Sequence, residues 1–548
     1  MSLLRRVSIL SVYAAALVAC TDIKRDTRPN ILLIVADDLG YADLGCSGGD
    51  IRTPTIDRLA SSGLLFTQFH TAPTCAPTRA MLLSGNNNHV AGMGRQGGAP
   101  KGSWIEGKSG YEGFLSDRVV PMPILLQDAG YHTYTVGKWH LGKKPEHSPA
   151  RKGFERSFNL LQGGGNHYNS IGILGTDSVS QYSADGVLTD YPEGKYSTEF
   201  YTDKLVEFIR SGNNDKPFFA YAAYTSPHWP LQIPPEFDRY KGKYDMGYDS
   251  LRALRLESLK RTGIISKDHK LPPRLESIKP WSELTPSEKK VESRKMELYA
   301  GMLDNLDYHI GRLIQFLTDE GLYENTLIIF MSDNGAAAED FYQTPPYSNF
   351  IAPRYNNSLE NMGTATSFVS YGPQWAKAGA APFGYHKGYT TEGGIVAPMI
   401  ISGAGVAGSG QIRKEFVTVM DIAPTVLELA KAPYPGSYEA PIVRPMLGES
   451  MLSYLLGKAD AVHDSTYVTG LEQGGRAYFR KGKWKIVNVE GPHLENTFQL
   501  FNMELDPAET TNLAIHFPNK FNEMIKGWRD YREANGILIE REETAGKP

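Results

Sequence analysis

Four short runs of apolar and β-branched residues each end directly in a cluster of polar residues, and this pattern most constrains the fold. The runs cover residues 31–36, 133–136, 218–224 and 326–332. Runs of this length and composition are typical of buried strands in a mainly parallel sheet. Because ligands bind outside the carboxyl ends of the strands in open α/β sheets, the four polar clusters are expected to converge on one crevice.

The longest helical pattern lies over residues 288–319 and leads directly into the fourth run. Its apolar residues recur at intervals of three and four, which predicts one buried face. The alternation of strands and helices predicts an α/β fold, with a large mixed, mostly parallel sheet flanked by helices. Residues 230–284 are rich in Lys, Arg and Pro and have weaker periodicity, so they predict helical turns and loop at the surface.

The pattern changes beyond about residue 435. Four strand-like runs follow at 466–471, 476–480, 484–489 and 497–501, and a helical pattern over 519–534 closes the chain. Consecutive short strands separated by turn residues indicate an antiparallel sheet. We therefore expect a catalytic α/β domain over 29–435 and a smaller C-terminal α+β subdomain over 436–548.

Composition excludes several classes of protein. The chain has 57 Lys and Arg against 61 Asp and Glu, a formal net charge of −4, so it lacks the basic footprint of a nucleic-acid-binding protein. With 41% hydrophobic residues it has the composition of an ordinary globular protein. Its three cysteines, Cys20, Cys46 and Cys75, are too few for a disulfide framework.

The first 20 residues have a basic start, an apolar stretch and a small-residue end, which indicate an export signal. The end, Leu17-Val18-Ala19-Cys20, resembles the bacterial lipoprotein box, in which the cysteine is acylated. We expect a lipoprotein-type signal peptide over 1–20, a tether over 21–28 and attachment to the membrane only through the lipid anchor. The protein would then be exported to the periplasm or cell envelope, anchored at Cys20 in the outer membrane. An ordinary signal peptide with a chance cysteine is the alternative.

Cys75 precedes a predicted helix that has Pro77 near its start and Gly85 near its end. A helix N-terminus with free amides attracts anions, and Arg79 adds a fixed positive fork that suits a tetrahedral oxyanion. The alternative is a buried structural cysteine before an ordinary helix.

Acidic and amide side chains follow the first and fourth runs, namely Asp37, Asp38, Asp333 and Asn334. Carboxylates brought together without a cation would repel one another, and this oxygen-rich set suits calcium better than a metal that prefers thiolate or imidazole ligands. Two separate strand-end turns are the alternative.

The remaining polar candidates are Lys138, His140, His228 and Lys387. Facing a bound anionic ester, an imidazole can protonate a departing alkoxide or phenoxide, and ammonium groups can neutralise oxygens that do not leave. Each of these residues taken singly is more often structural or solvated, so the prediction depends on their convergence.

With these residues assembled, nearly all of the chain after the tether resembles the type I sulfatases of the alkaline phosphatase superfamily, and most nearly their bacterial arylsulfatase branch. Cys75-Ala76-Pro77-Thr78-Arg79 resembles the family's nucleophile motif. The segments 37–43 and 130–142 resemble its metal motif and its second signature, and 88–94, 371–376 and 390–394 resemble the arylsulfatase branch. Residues 505–514 resemble a turn of its C-terminal subdomain.

The resemblance implies the chemistry of the site. A maturase would oxidise Cys75 to formylglycine (3-oxoalanine), whose hydrate attacks the sulfur of a sulfate ester. One calcium ion would be held by Asp37, Asp38, Cys75, Asp333 and Asn334. Arg79 and Lys138 would orient the hydrate and the sulfate, His228 and Lys387 would bind substrate and assist the leaving group, and His140 would help to expel sulfate.

Two other functions remain open from the sequence. Relatives with the same nucleophile motif hydrolyse phosphonate monoesters or phosphodiesters. A non-catalytic, calcium-dependent binder of sulfated glycans, with Cys75 unmodified, is the third reading, although an aligned acid and base are unnecessary for binding alone. Segments 92–97, 162–167 and 336–381 are expected to form the rim that selects the substrate.

Overall fold

The structure is a computed structural model that describes residues 26–175, 177–212, 216–434, 443–491, 493 and 495–539. The predicted signal peptide, the lipidation site Cys20, most of the predicted tether and the predicted domain boundary at 435 and 436 lie outside the described residues. Within the described residues, no helix combines the length and the apolar character that crossing a membrane requires.

The elements follow one another along the chain as strands β1–β18 and helices α1–α12. The strands are β1 Asn30–Ala36, β2 Leu64–Phe66, β3 Phe69–His70, β4 His132–Lys138, β5 Arg156–Leu160, β6 Ile171–Leu174, β7 Asp177–Val179, β8 Tyr182–Ala184, β9 Val187–Thr189, β10 Phe218–Ala223, β11 Thr326–Ser332, β12 Met399–Gly403, β13 Gln411–Arg413, β14 Val417–Thr418, β15 Val468–Gln473, β16 Arg476–Lys481, β17 Trp484–Asn488 and β18 Gln499–Asn502. The helices are α1 Pro54–Ser62, α2 Cys75–Ser84, α3 Met122–Asp128, α4 Ser197–Ser211, α5 Tyr248–Arg261, α6 Pro286–Asp319, α7 Tyr347–Ile351, α8 Gly372–Gly379, α9 Glu392–Ile395, α10 Ile422–Leu429, α11 Leu452–Leu455 and α12 Pro518–Ala534.

A ten-stranded sheet in the order β13-β2-β12-β11-β1-β10-β4-β5-β8-β9 forms the centre of the described structure. Its middle strands, from β11 to β5, are all parallel, and antiparallel pairs flank them on both sides. The four predicted runs are β1, β4, β10 and β11, which lie side by side. The predicted α/β fold with a mixed, mostly parallel sheet is therefore confirmed.

Helices pack against this sheet in two groups. One contains α1, α4 and α6, and the other contains α2, α3 and α10. The predicted helix over 288–319 is the later part of α6, which begins two residues earlier at Pro286. Thr285 caps it, because its side chain accepts a hydrogen bond from the Glu288 amide while the Glu288 carboxylate accepts one from the Thr285 amide.

The segment 230–284 contains more regular structure than its sequence indicates. It includes the 14-residue helix α5, a continuous helix where the sequence predicts only helical turns and loop. Arg255 of this helix is 2% exposed and pairs with Asp43 and Asp50, at 2.5 and 2.9 Å. Because two buried arginines replace apolar residues on the inner face of α5, its helical periodicity is obscured in the sequence.

The C-terminal part has its own antiparallel sheet in the order β15-β16-β17-β18, with α12 packed on β15, β16 and β17. All four predicted strands and the closing helix are present. A smaller apolar core, which includes Phe479, Ile486, Leu500 and Trp528, lies between this sheet and α12.

A buried charged network, which we call the clasp, connects the two parts. It consists of His70, Glu392, Lys485 and Glu509. The Lys485 ammonium lies 2.7 Å from a carboxylate oxygen of both Glu392 and Glu509, and His70 lies 2.9 Å from Glu392. The side chains of all four are at most 3% exposed, so the contacts that connect the C-terminal sheet to the catalytic body are shielded from water.

Candidate active site

The carboxyl ends of β1, β4, β10 and β11 meet at one edge of the sheet, as the sequence predicts. Parallel register places Ala36 beside Ser332, and Val35 beside Ala223. Backbone hydrogen bonds continue past the strand ends, since the Asp37 amide donates to the Ser226 carbonyl at 3.2 Å. The polar residues that follow each strand therefore line a common crevice.

Cys75 is the first residue of α2 and points into this crevice. It is 1% exposed, and its thiol donates to an oxygen of Asp37 at 3.4 Å and of Asp38 at 3.8 Å. Burial, together with the negative charge of Asp333, raises the pKa of the Cys75 thiol well above its ordinary value. The thiol thus stays protonated at neutral pH and is a poor nucleophile in its unmodified form.

Three cationic side chains pair with the three carboxylates around Cys75. Lys138 lies 2.7 Å from Asp37, Arg79 lies 2.7 Å from Asp333, and Lys387 lies 2.8 Å from Asp38. All six side chains are at most 3% exposed. These six site residues, predicted from separate parts of the sequence, are thus in direct contact in pairs.

The carboxylates keep the neighbouring cations charged. Burial opposes the charge on Lys387 and on Lys138, but Asp38 and Asp37, respectively, raise the pKa of each ammonium above its ordinary value. Burial also opposes the charge on Arg79, and Tyr221 and Asp333 hold its pKa above the ordinary value. The crevice therefore holds three cations that stay charged, each of them paired with a carboxylate.

The two histidines are held neutral in the free protein. Burial lowers the pKa of His228 to about 3, although Asp38 opposes this shift. Its Nδ1 donates to the Trp229 carbonyl at 2.7 Å, which leaves Nε2 facing Asp38 at 3.4 Å. Burial and the charge of Lys138 lower the pKa of His140 well below its ordinary value.

The backbone is unusual at the points where the site residues leave their strands. Asp38 and His140 have φ angles of 66° and 59°, in the left-handed region that residues other than glycine rarely adopt. Gly137, with a φ of 91°, precedes Lys138, and a Cβ there would lie 1.9 Å from the Ala223 carbonyl oxygen. Such strain is typical of functional sites, where it fixes side-chain direction.

The residues fit a hard divalent cation. Ligand atoms of Asp37, Asp38, Cys75 and His228 all lie within 4.8 Å of one another. The Asn334 amide donates to Asp38 at 2.7 Å, and its oxygen is buried without a hydrogen-bond partner among the described residues. Asp333 lies outside this set of four and is next to it, since its Oδ1 accepts a hydrogen bond from the Asp38 amide at 3.3 Å. Carboxylate and amide oxygens are the donors that calcium prefers.

A cavity of about 230 Å³ leads from His140, His228 and Lys387 towards solvent. All three predicted rim segments contribute to its lining, through Gln96 and Gly97, residues 162–164, and Glu339, Phe341 and Tyr347. The lining also includes residues of β6 and β7 and Trp229, which sequence reasoning missed. Tyr221, whose hydroxyl accepts from Arg79 at 3.4 Å, was also missed, because it lies within a strand that looks purely apolar.

Comparisons with known proteins agree with this geometry. The sulfatase family model matches residues 29–432. An uncharacterized sulfatase of Schizosaccharomyces pombe is 41% identical over 93% of this chain and 94% of its own. An arylsulfatase of Klebsiella aerogenes is 40% identical over 77% of this chain and 91% of its own.

A similarity of fold accompanies these sequence matches. The crystal structure of Ps i-CgsB aligns with a TM-score of 0.65 and 25% identity, over 94% of this chain and 96% of that one. The family model spans every candidate site residue from Asp37 to Lys387, and each of the two relatives matches most of the chain. The protein therefore belongs to the sulfatase family and is a sulfuric ester hydrolase.

Proposed function

We propose that this protein hydrolyses aryl sulfate monoesters to a phenol and sulfate, with Cys75 in its oxidised formylglycine form and one calcium ion. The observation that carries the proposal is the position of Cys75 at a helix N-terminus, surrounded by buried Arg79, Lys138 and Lys387. This arrangement supplies fixed positive charge for a tetrahedral anion next to the proposed nucleophile.

The oxidised Cys75 would supply a hydrated aldehyde, in which one hydroxyl attacks sulfur and the second allows sulfate to leave. A serine in its place would lack that second hydroxyl and would require water to release sulfate. Calcium, held by Asp37, Asp38, Asp333, Asn334 and residue 75, would add positive charge beside the sulfate oxygens.

Lys387 and His228 are the two candidates for protonating the departing phenoxide. Lys387 carries its proton in the free protein, because Asp38 raises its pKa. His228 is neutral there, and a sulfate anion beside Nε2 would favour its protonation. His140 is neutral and partnerless at Nδ1 among the described residues, so it is suited to accepting the proton whose removal releases sulfate.

The test is turnover of 4-nitrophenyl sulfate against the matched phosphate monoester and diester, using protein coexpressed with a formylglycine-generating maturase. Peptide mass analysis establishes how much Cys75 is converted, and elemental analysis establishes the metal. A strong preference for sulfate supports the proposal. A preference for a phosphate or phosphonate ester would assign the alternative reaction. Protein in which Cys75 stays unmodified and which turns over no ester would favour a glycan-binding role.

We also propose export by the lipoprotein pathway and anchoring through acylated Cys20, on the strength of residues 1–20 alone. Labelling cells with a fatty acid tests this proposal, and Cys20→Ala provides the control. Labelling of the wild type but not of the variant, together with recovery in the outer-membrane fraction, is expected. Release of unlabelled wild-type protein into the periplasm would contradict lipidation.

A further inference from the structure

The outer part of the active-site cavity has an aromatic wall. The Trp229 and Phe341 rings meet edge to face with centroids 4.6 Å apart, and the Tyr347 ring stacks on Phe341 at 3.9 Å. All three residues line the cavity together with His228 and Lys387. A leaving group that departs beside those two residues would therefore lie against the aromatic wall, which suits a flat ring.

Glu339 stands in this cavity beside the aromatic wall. Its Oε1 lies 3.5 Å from the Lys387 ammonium, and its Oε2 is buried without a hydrogen-bond partner among the described residues. The side chain as a whole is 31% exposed, so it lies between the buried charges and the solvent. A carboxylate oxygen without a donor is costly in such a place, and a bound molecule with a donor or positive charge would satisfy it.

The charge of Glu339 is poorly compensated by the protein. Lys387 is shared, because it lies closer to Asp38, at 2.8 Å, than to Glu339. A second carboxylate in the cavity, Asp177, differs in this respect, since Lys143 donates to it at 2.8 Å. Glu339 is thus the cavity carboxylate whose negative charge acts most directly on the leaving group.

We infer that Glu339 selects the leaving group by charge, favouring phenols that carry a hydrogen-bond donor or a positive charge and disfavouring phenols that carry a second negative charge. This inference rests on the proposed aryl sulfatase function and specifies its substrate class. The sulfate itself is bound by Arg79, Lys138 and Lys387, so the discrimination concerns only what is attached to it.

Three phenyl sulfates that differ in charge at the para position test the inference. The substituents are 2-aminoethyl, 2-hydroxyethyl and carboxymethyl, which are cationic, neutral and anionic at neutral pH. Each substituent joins the ring through a saturated carbon, so the phenols are of similar acidity. For the wild type, kcat/KM for the anionic substrate is expected to be at least about tenfold below that of the neutral one, from Coulomb repulsion at several ångströms in a partly screened site.

Glu339→Gln keeps the size of the side chain and removes its charge. In the variant, the kcat/KM values for the cationic and anionic substrates are expected to differ by no more than about threefold, since the repulsion is gone. The control is Asp340→Asn, which removes the neighbouring charge; Asp340 lines a separate cavity with Glu292 and Tyr342 and lies 3.9 Å from Lys295. This control is expected to preserve the wild-type spread.

Other outcomes separate the inference from the proposed function. If the wild type releases sulfate from all three substrates but its kcat/KM for the anionic substrate equals or exceeds that for the neutral one, the inference is overturned and the proposed function stands. A uniform loss of rate in Glu339→Gln with an unchanged spread would also overturn it, because Glu339 would then act only through Lys387. Failure of converted wild-type protein to release sulfate from any of the three would count against the proposed function itself.

Discussion

At the scale of single residues, the environment of Cys75 distinguishes it from an ordinary buried cysteine. A structural cysteine packs among apolar side chains, whereas Cys75 contacts Asp37 and Asp38 at the end of a parallel sheet. The positions of Asp37 and Asp38 were predictable because they directly follow an apolar run, and that of Cys75 because it precedes a predicted helix. Glu339 was predicted only as part of a long rim segment, since nothing in its local sequence indicates that it faces Lys387.

Cys75→Ala is expected to abolish turnover, with a loss of at least about a thousandfold, because alanine cannot be converted to an aldehyde. The free energy of unfolding should change by only about 1–2 kcal/mol, since one buried sulfur is removed. Urea unfolding and sulfate release, measured on the same preparation, check both expectations.

The matched control is Cys75→Ser, which retains an oxygen nucleophile. We expect it to become sulfated once and then to release sulfate very slowly, which a single-equivalent burst of phenol would show. Steady turnover by Cys75→Ala would disprove the assignment of residue 75 as the nucleophile.

Asp333→Asn is expected to reduce both bound calcium and activity, because it removes one of three clustered carboxylates. It also deprives buried Arg79 of its charged partner, which should cost roughly 3 kcal/mol of stability. The control is Asp307→Asn, which removes the charge of a buried carboxylate outside the cavity. Asp307 accepts hydrogen bonds from the amides of Thr55 and Ile56 at 3.0 and 2.8 Å. Elemental analysis should then show that calcium is lost from Asp333→Asn and retained in Asp307→Asn. Unchanged calcium content and activity in Asp333→Asn would refute the metal-site assignment.

At the scale of elements, strands were easier to predict than helices with charged inner faces. The runs at 31–36 and 326–332 correspond to β1 and β11 within one residue, because a strand buried on both faces is apolar throughout. Helix α5 was predicted only as helical turns because Arg252 and Arg255 occupy buried positions, and only the tertiary structure supplies the partners of Arg255. The rim hairpin of β6 and β7 was missed because its short strands carry little apolar periodicity.

Helix α6 contains a buried histidine, His309, that is expected to make stability depend on pH. Burial lowers the pKa of His309 to about 4, and its Nδ1 accepts a hydrogen bond from Arg312 at 3.1 Å. In the unfolded chain a histidine binds a proton below about pH 6.5, whereas in the folded protein His309 does so only below about pH 4. The free energy of unfolding should therefore decrease as the pH falls from about 6.5 to 4, by roughly 1–2 kcal/mol from this residue at pH 5.

Urea unfolding at a series of pH values, for the wild type and His309→Gln, measures that contribution. The variant is expected to show a shallower decrease, and His516→Gln, at an exposed position, should keep the wild-type slope. Parallel curves for the wild type and His309→Gln would show that His309 does not contribute.

At the scale of the whole molecule, the clasp makes the C-terminal sheet part of the active-site architecture. Glu392 belongs to the clasp and lies five positions after Lys387, so the clasp holds the segment that follows Lys387. The existence of two units was predictable from the change in sequence pattern near residue 435. The clasp was not, because its residues come from distant segments and each looks like an ordinary charged surface residue.

Lys485→Met is expected to reduce the free energy of unfolding by about 3–5 kcal/mol, because Glu392 and Glu509 would remain buried without their shared cation. Lys526→Met is the control; its ammonium pairs with Asp530 at 2.7 Å but is 76% exposed, so the expected change is within about 0.5 kcal/mol. Chemical unfolding of both variants, monitored by tryptophan fluorescence, measures these changes in the free energy of unfolding. Equal, small changes would show that the clasp does not hold the two parts together.

The central place of β1 also determines the order in which the protein can be assembled. Its two neighbours in the sheet are β10 and β11, and Asp38 and Asp333 are 295 positions apart in the chain. During synthesis from the N-terminus, this wholly apolar strand is therefore made long before either partner. Closing such a distant contact is slow and leaves the strand open to aggregation, so folding of the catalytic body must wait for nearly the whole domain. Cys75, which is buried in the folded protein, would therefore be exposed to the proposed maturase during that interval.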